Sequence, residues 1–270
     1  MNINQNPFSL YDFLGYFIPG ALLLFMLSCI DWSQSGLAYL TIIENKIGGN
    51  NYLSFVICSY IVGHLTSFLS SVTIEKYSIW LYGYPSKYLL GIRPKSYFDS
   101  SYKKGKNFKR FLIGSFLFPV SIFSILFDGI LKLNILKGKA LDSFMTNLIL
   151  QHAKKTFEKI DIYKEGGEIN AENEDFFTIL YHYVLEKNKS HTGKIQNYVA
   201  LYGFLRCITL IFVMLFWILM VFMLINWDIK TYIITIAIVS FISYVFFLSF
   251  KKFYRRYSLE TLMALATMEI

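Results

Sequence analysis

The sequence predicts an all-α integral membrane protein with four transmembrane helices, a cytoplasmic helical cap and one interfacial or re-entrant apolar segment. Three observations carry this. Hydrophobic residues make up 55% of the 270-residue chain and charged residues only 16%, against about 25% charged in soluble domains. The apolar residues gather into runs of membrane-crossing length. The Lys and Arg residues behind the net charge of +8 gather beside those runs. Composition also excludes disordered, collagen-like and disulfide-scaffold classes, since Gly is 16, Pro 5 and Cys 3.

Five stretches are apolar enough to consider: Phe13–Ile30, Leu53–Ile74, Phe111–Phe127, Cys207–Ile225 and Tyr232–Phe250. A spanning helix needs about 20 apolar residues to cross a hydrocarbon layer of roughly 30 Å. Four of the stretches reach or approach that length. The third is the shortest, and Pro119 stands at its centre among Gly114, Ser115, Ser121 and Ser124.

Charge decides how the third is read, because Lys and Arg are retained on the cytoplasmic side. If Phe111–Phe127 spanned, 16 of the 26 basic residues would lie outside; if it does not, 24 of 26 lie inside. The expectation is four spans with both termini in the cytoplasm and Phe111–Leu131 lying in the interface or entering and returning. Aromatic placement agrees with headgroup anchoring. Trp32, Tyr39, Tyr52, Trp227 and Tyr232 fall at outer ends, and Tyr11, Tyr16, Trp80, Tyr82, Tyr198, Tyr202, Tyr254 and Tyr257 at inner ends. The short turn Asn226-Trp227-Asp228 makes the last two spans an antiparallel hairpin. With Asp12 and no basic run at its start, the chain is expected to carry no cleavable signal peptide.

The predicted organisation is therefore spans 1 and 2 over 1–80, a basic loop with the ambiguous apolar segment over 81–131, and a cap over 132–205. The last two spans occupy 206–250 and a basic tail 251–270. In the cap, Leu141, Phe144, Met145, Leu148, Ile149 and Phe157 recur at helical spacing through Ala140–Ile160. Asn173 then caps a second helix that buries Phe176, Phe177, Leu180, Tyr181 and Val184. From about Thr192 one long helix runs into the next span.

Residues 81–110 hold eight basic side chains against Asp99, interleaved with aromatic rings. Such a loop is attracted to anionic lipid at roughly 1 kcal/mol per basic residue. Alternatively Lys103, Lys104, Lys106, Lys109 and Arg110 neutralise the phosphates of a nucleotide or oligonucleotide signal while aromatic faces stack bases. In the second span Ser59, Gly63, Ser67 and Ser71 recur every four residues, with Tyr60 and His64 beside them. That face either packs tightly on another helix or lines a polar path that His64 gates by protonation. Asp12, Glu75, Arg206 and the Lys251–Arg256 cluster approach the inner boundary, where ion pairs would hold helix ends together.

No catalytic constellation is expected. Asp12 and His64 differ by about 15 Å in helical depth at 1.5 Å per residue, and no nucleophile elbow is present. His152, His182 and His191 lack ligand spacing, and the three cysteines show no redox or metal pattern. No cofactor or metal is expected, and the chain is not read as an enzyme.

The opening FSLYDFLGYFIPGALLLF, the Gly63-His64 pair and the FYRRY tail resemble uncharacterised bacterial inner-membrane proteins encoded among antiphage-defence genes. The resemblance implies an effector: a companion protein makes or detects a signal, and the membrane protein oligomerises or opens and collapses ion gradients. The expected function is an oligomeric channel or membrane-perturbing effector gated by a cytoplasmic ligand or partner protein. The competing class is a non-conducting anchor or sensor that positions a cytoplasmic partner.

Overall fold

The computed structural model describes residues 12–30, 52–99, 104–130, 139–160, 171–173, 175–227 and 229–268. Their regular secondary structure is helical, with no strands among the described residues. The helices are α1 (Phe13–Ser28, opening with a π-turn over Phe13–Phe17) and α2 (Tyr52–Ser70, a π-turn over Ser71–Glu75, then Lys76–Tyr82). Next come α3 (Pro85–Leu89), α4 (Lys104–Phe116) and α5 (Phe118–Ser124, followed by a π-turn over Ile125–Ile130). The chain closes with α6 (Ser143–Lys159), α7 (Asp175–Lys187), α8 (Lys189–Asn226) and α9 (Ile229–Ala266).

Three helical stretches are long and apolar enough to cross a membrane: Tyr52–Leu89, Lys189–Asn226 and Tyr232–Ala266. The expected first span, α1, is apolar but shorter, so at 1.5 Å per residue its 16 residues reach about 24 Å. It runs antiparallel to α2, with Tyr16 against Gly63 and Gly20 against Ser59. The α8–α9 hairpin closes at Trp227, held in the left-handed region at φ 51°. Beyond the turn, Asn226 Nδ2 donates to the Tyr232 hydroxyl at 3.1 Å. At the other end α2 stops because Gly83, at φ 80°, adopts a backbone that side chains disfavour.

The segment 105–127 is a bent pair, Gly105–Phe116 and Phe118–Phe127, at 93°. Pro119 removes one helical N–H at the bend, and carbonyls beside the bend accept bonds from side chains. Trp217 Nε1 donates to Phe116 O at 2.7 Å, Ser240 Oγ to Pro119 O at 3.2 Å, and Ser121 Oγ to Gly114 O at 3.2 Å. Trp217 and Ser240 stand midway along the apolar stretches of α8 and α9. The flanks lie elsewhere. Arg110 sits over the Trp80 ring, Lys139 O accepts from Arg255, and Leu141 N donates to Leu89 O. Residues 110 and 139, on either side of the bent pair, thus lie toward the same end of the bundle, while the bend itself lies at half its depth.

Two main cores follow from this layout. Ile74, Tyr77, Leu117, Val120, Leu210, Val213, Tyr244, Phe247 and Phe250 bury the bent segment between α2, α8 and α9. A second core joins α3, α6 and α7 to the polar ends of α8 and α9. There Asp142 caps α6, accepting from Met145 N at 2.7 Å. Ile149, Ala153 and Phe157 face Phe176, Leu180 and Val184. Phe144, one of the apolar residues at helical spacing, is 71% exposed. The boundary expected at residue 250 marks the end of an apolar run and not of a helix. Residues 251–266 continue α9, and Leu262, Ala264, Leu265 and Ala266 are buried in the second core.

Candidate functional site

The small-residue face of α2 meets α1 at backbone distance. A Cβ placed on Gly63 would come within 1.8 Å of Tyr16 O, and one on Gly20 within 1.8 Å of Ser59 O. Only glycine permits this approach. Ser59 is fully buried there, its hydroxyl without a hydrogen-bond partner. Thr66 and Ser71 hydroxyls turn back onto carbonyls of their own helix, at 2.8 and 2.7 Å.

His64 and Tyr60 lie on the flank of this face and are exposed. The imidazole stacks on Tyr16, with centroids 3.9 Å apart and planes 16° apart, while Tyr60 meets it edge-on at 4.6 Å. Three polar-edged rings are thus gathered on the outer side of the α1–α2 pair.

Further along α2, next to its π-turn, Arg206 of α8 pairs with Glu75; the two side chains are 11% and 20% exposed. Arg206 Nε also donates to Ser70 Oγ at 3.0 Å, and Nη2 to Ser67 O at 3.4 Å. Ser70 Oγ lies 3.5 Å from Cys207 Sγ. Glu75 and Arg206, singled out in the sequence, are therefore in contact, and Ser67 joins them through its carbonyl. Asp12 stands at the start of α1.

The basic region divides. Lys106 and Lys109 are exposed on α4, and Lys104 begins that helix. Lys103 lies outside the described residues. Arg110 is largely buried, donates to Tyr97 O, and its guanidinium lies 5.3 Å from the Trp80 ring centroid and 5.7 Å from that of Tyr97. The Tyr97 hydroxyl returns a bond to Arg110 O at 2.8 Å. Arg110 thereby fastens α4 to α2 rather than presenting a free charge.

Another basic site was not singled out for binding in the sequence. A cavity of about 720 Å³ opens between the end of α2, the loop after α3 and α9. Arg93, Lys251, Lys252, Arg255 and Arg256 line it, and no acidic side chain does among the described residues. The signal was available: in KKFYRR the pairs 251/255 and 252/256 are four apart, so a continuing helix stacks them on neighbouring faces. Reading the run as a tail hid it.

Comparison with family models, with curated proteins and with solved structures finds no match.

Proposed function

We propose that the protein is an oligomeric effector of the bacterial inner membrane, a channel or membrane-perturbing protein controlled from the cytoplasm by a ligand or partner protein. In this reading α1, α2, α8 and α9 span the bilayer, both termini are cytoplasmic, and the α3–α6–α7 bundle forms the cap. The segment 111–130 is re-entrant. Non-spanning backbone at membrane depth is tolerated where protein buries it, and the Trp217 and Ser240 bonds meet that requirement.

The observation that carries the oligomeric reading is the His64–Tyr16–Tyr60 cluster. A polar group at mid-membrane seeks protein or water, because lipid offers it no partner. Here imidazole and phenol face outward from an α2 whose apolar window is only 22% buried. A second copy seated on this flank would cover both. The resemblance to membrane proteins of antiphage-defence loci supports the effector reading. The anchor reading has an observation of its own: α1 fills the small-residue face of α2, so that face lines no path within one chain.

Bilayer recording on the purified, crosslinked oligomer separates them. The effector reading expects conductance on adding the cytoplasmic partner or its nucleotide product, and its reduction in His64→Phe. An oligomer that stays silent under every addition establishes the anchor.

A further inference from the structure

We propose that the cavity between α2 and α9 is a binding site for a phosphate group, presented by an anionic phospholipid. Charge is the first observation. Five cationic side chains converge on one cavity whose described lining holds no carboxylate. Gathering like charges is unfavourable unless an anion compensates them.

Arg255 gives the second observation. Its Nη2 donates to Lys139 O at 2.7 Å, which fixes the guanidinium against the wall of the cavity. At the cavity wall, an Arg held from one side matches the planar recognition of phosphate oxygens.

Position selects the lipid. The cavity is lined at one side by Leu81 and Leu248, where the apolar stretches of α2 and α9 close, and at the other by Arg255 and Arg256. A ligand filling it turns apolar chains toward Leu81 and Leu248 and carries its anionic group about two helical turns further along α9. Tyr82 and Tyr88 supply the amphipathic rings common at headgroup depth. Lys251 is seated over the Tyr82 ring. Basic pockets between membrane helices on the cytoplasmic side bind anionic headgroups in this manner. A volume near 720 Å³ lies within the range of ligand pockets, roughly 300–1,000 Å³.

The site is distinct from the exposed cations of α4, and its test involves no conductance. The full-length protein is purified in detergent and titrated by native mass spectrometry with phosphatidylglycerol, phosphatidylcholine and, separately, pyrophosphate. The triple variant Arg93→Gln/Lys252→Gln/Arg256→Gln removes three exposed charges that hold no helix in place. Lys106→Gln/Lys109→Gln is the control for diffuse attraction. Phosphatidylglycerol is expected to bind in preference to phosphatidylcholine. In the triple variant its affinity should fall on the order of 100-fold, about fivefold per charge, with little change in the control. Saturable pyrophosphate binding that the triple variant alone loses, without lipid preference, would keep the phosphate site and assign a soluble source. Equal loss in both variants, or binding of neither anion, overturns the proposal.

Discussion

At the scale of single residues, two contacts determine how α1, α2 and α8 sit together. Gly63 and Gly20 let backbones touch, and Arg206 joins the Glu75 carboxylate to Ser70 and the carbonyl of Ser67. The first is steric and has no slack. Gly63→Ala puts a methyl group within 1.8 Å of Tyr16 O, so the helices must separate and lose their packing. The expected cost is about 3 kcal/mol, the upper end for overpacking, read as a lowered midpoint in detergent thermal unfolding. Gly203→Ala on α8 meets nothing within 4 Å and should match or slightly exceed the wild type. Equal midpoints for the two variants would contradict the close crossing. The spacing of Ser59, Gly63 and Ser67 made this face legible in the sequence, although spacing alone left packing and pore lining both open. What it could not provide was the partner, since Tyr16 and Gly20 occupy an apolar run with no comparable pattern.

At the scale of elements, the bent segment shows what charge counting can and cannot do. The positive-inside rule assigns 111–127 to one side of the membrane without reference to its shape. The shape depends on Trp217 and Ser240, about 100 or more residues away, whose donors satisfy Phe116 O and Pro119 O. No local pattern announces such partners. In the same way, the break after Phe250 was legible and the continuation of α9 was not. Four consecutive-turn cations mask the apolar Leu259, Leu262 and Leu265 that dock its end in the second core. The re-entrant reading has a direct test in cysteine labelling of whole cells and inverted vesicles. Lys109→Cys and Lys139→Cys, introduced singly into a background with Cys29, Cys58 and Cys207 replaced by Ser, should react from the same side of the membrane. Reaction from opposite sides would make 111–138 a span. Trp217→Phe keeps the ring but removes the donor to Phe116 O, a loss of about 1 kcal/mol in the same unfolding assay.

At the scale of the whole molecule, α8 and α9 are each 38 residues long and run without interruption from the apolar hairpin into the second core. Whatever binds near the polar end therefore acts on the same rigid elements that pack the bent segment. Their polar ends are clamped at Glu260, whose carboxylate meets His191 Nδ1 at 2.8 Å and Lys194 Nζ at 2.8 Å. Both partners come from α8, and the carboxylate lies beyond the apolar stretch of α9. Burial alone would push this carboxyl up, but the hydrogen bonds from Lys194 and His191 outweigh it and hold it below the usual carboxylate range. A group whose folded value is depressed contributes stability above its unfolded value and loses it as pH falls through the folded one. The clamp should therefore be intact at neutral pH and weaken progressively as acid carries the protein below about pH 4.5, the ordinary value for a glutamate. Thermal unfolding of the wild type across pH 3 to 7 is expected to show this fall. Glu260→Gln keeps the shape and removes the titration, so it should start lower at pH 7 and converge with the wild type in acid. Parallel curves would show that Glu260 does not couple α8 to α9. Convergence, measured beside an unchanged Glu186→Gln control whose Lys187 partner lies exposed on α7, would locate the acid-sensitive joint between the two long helices.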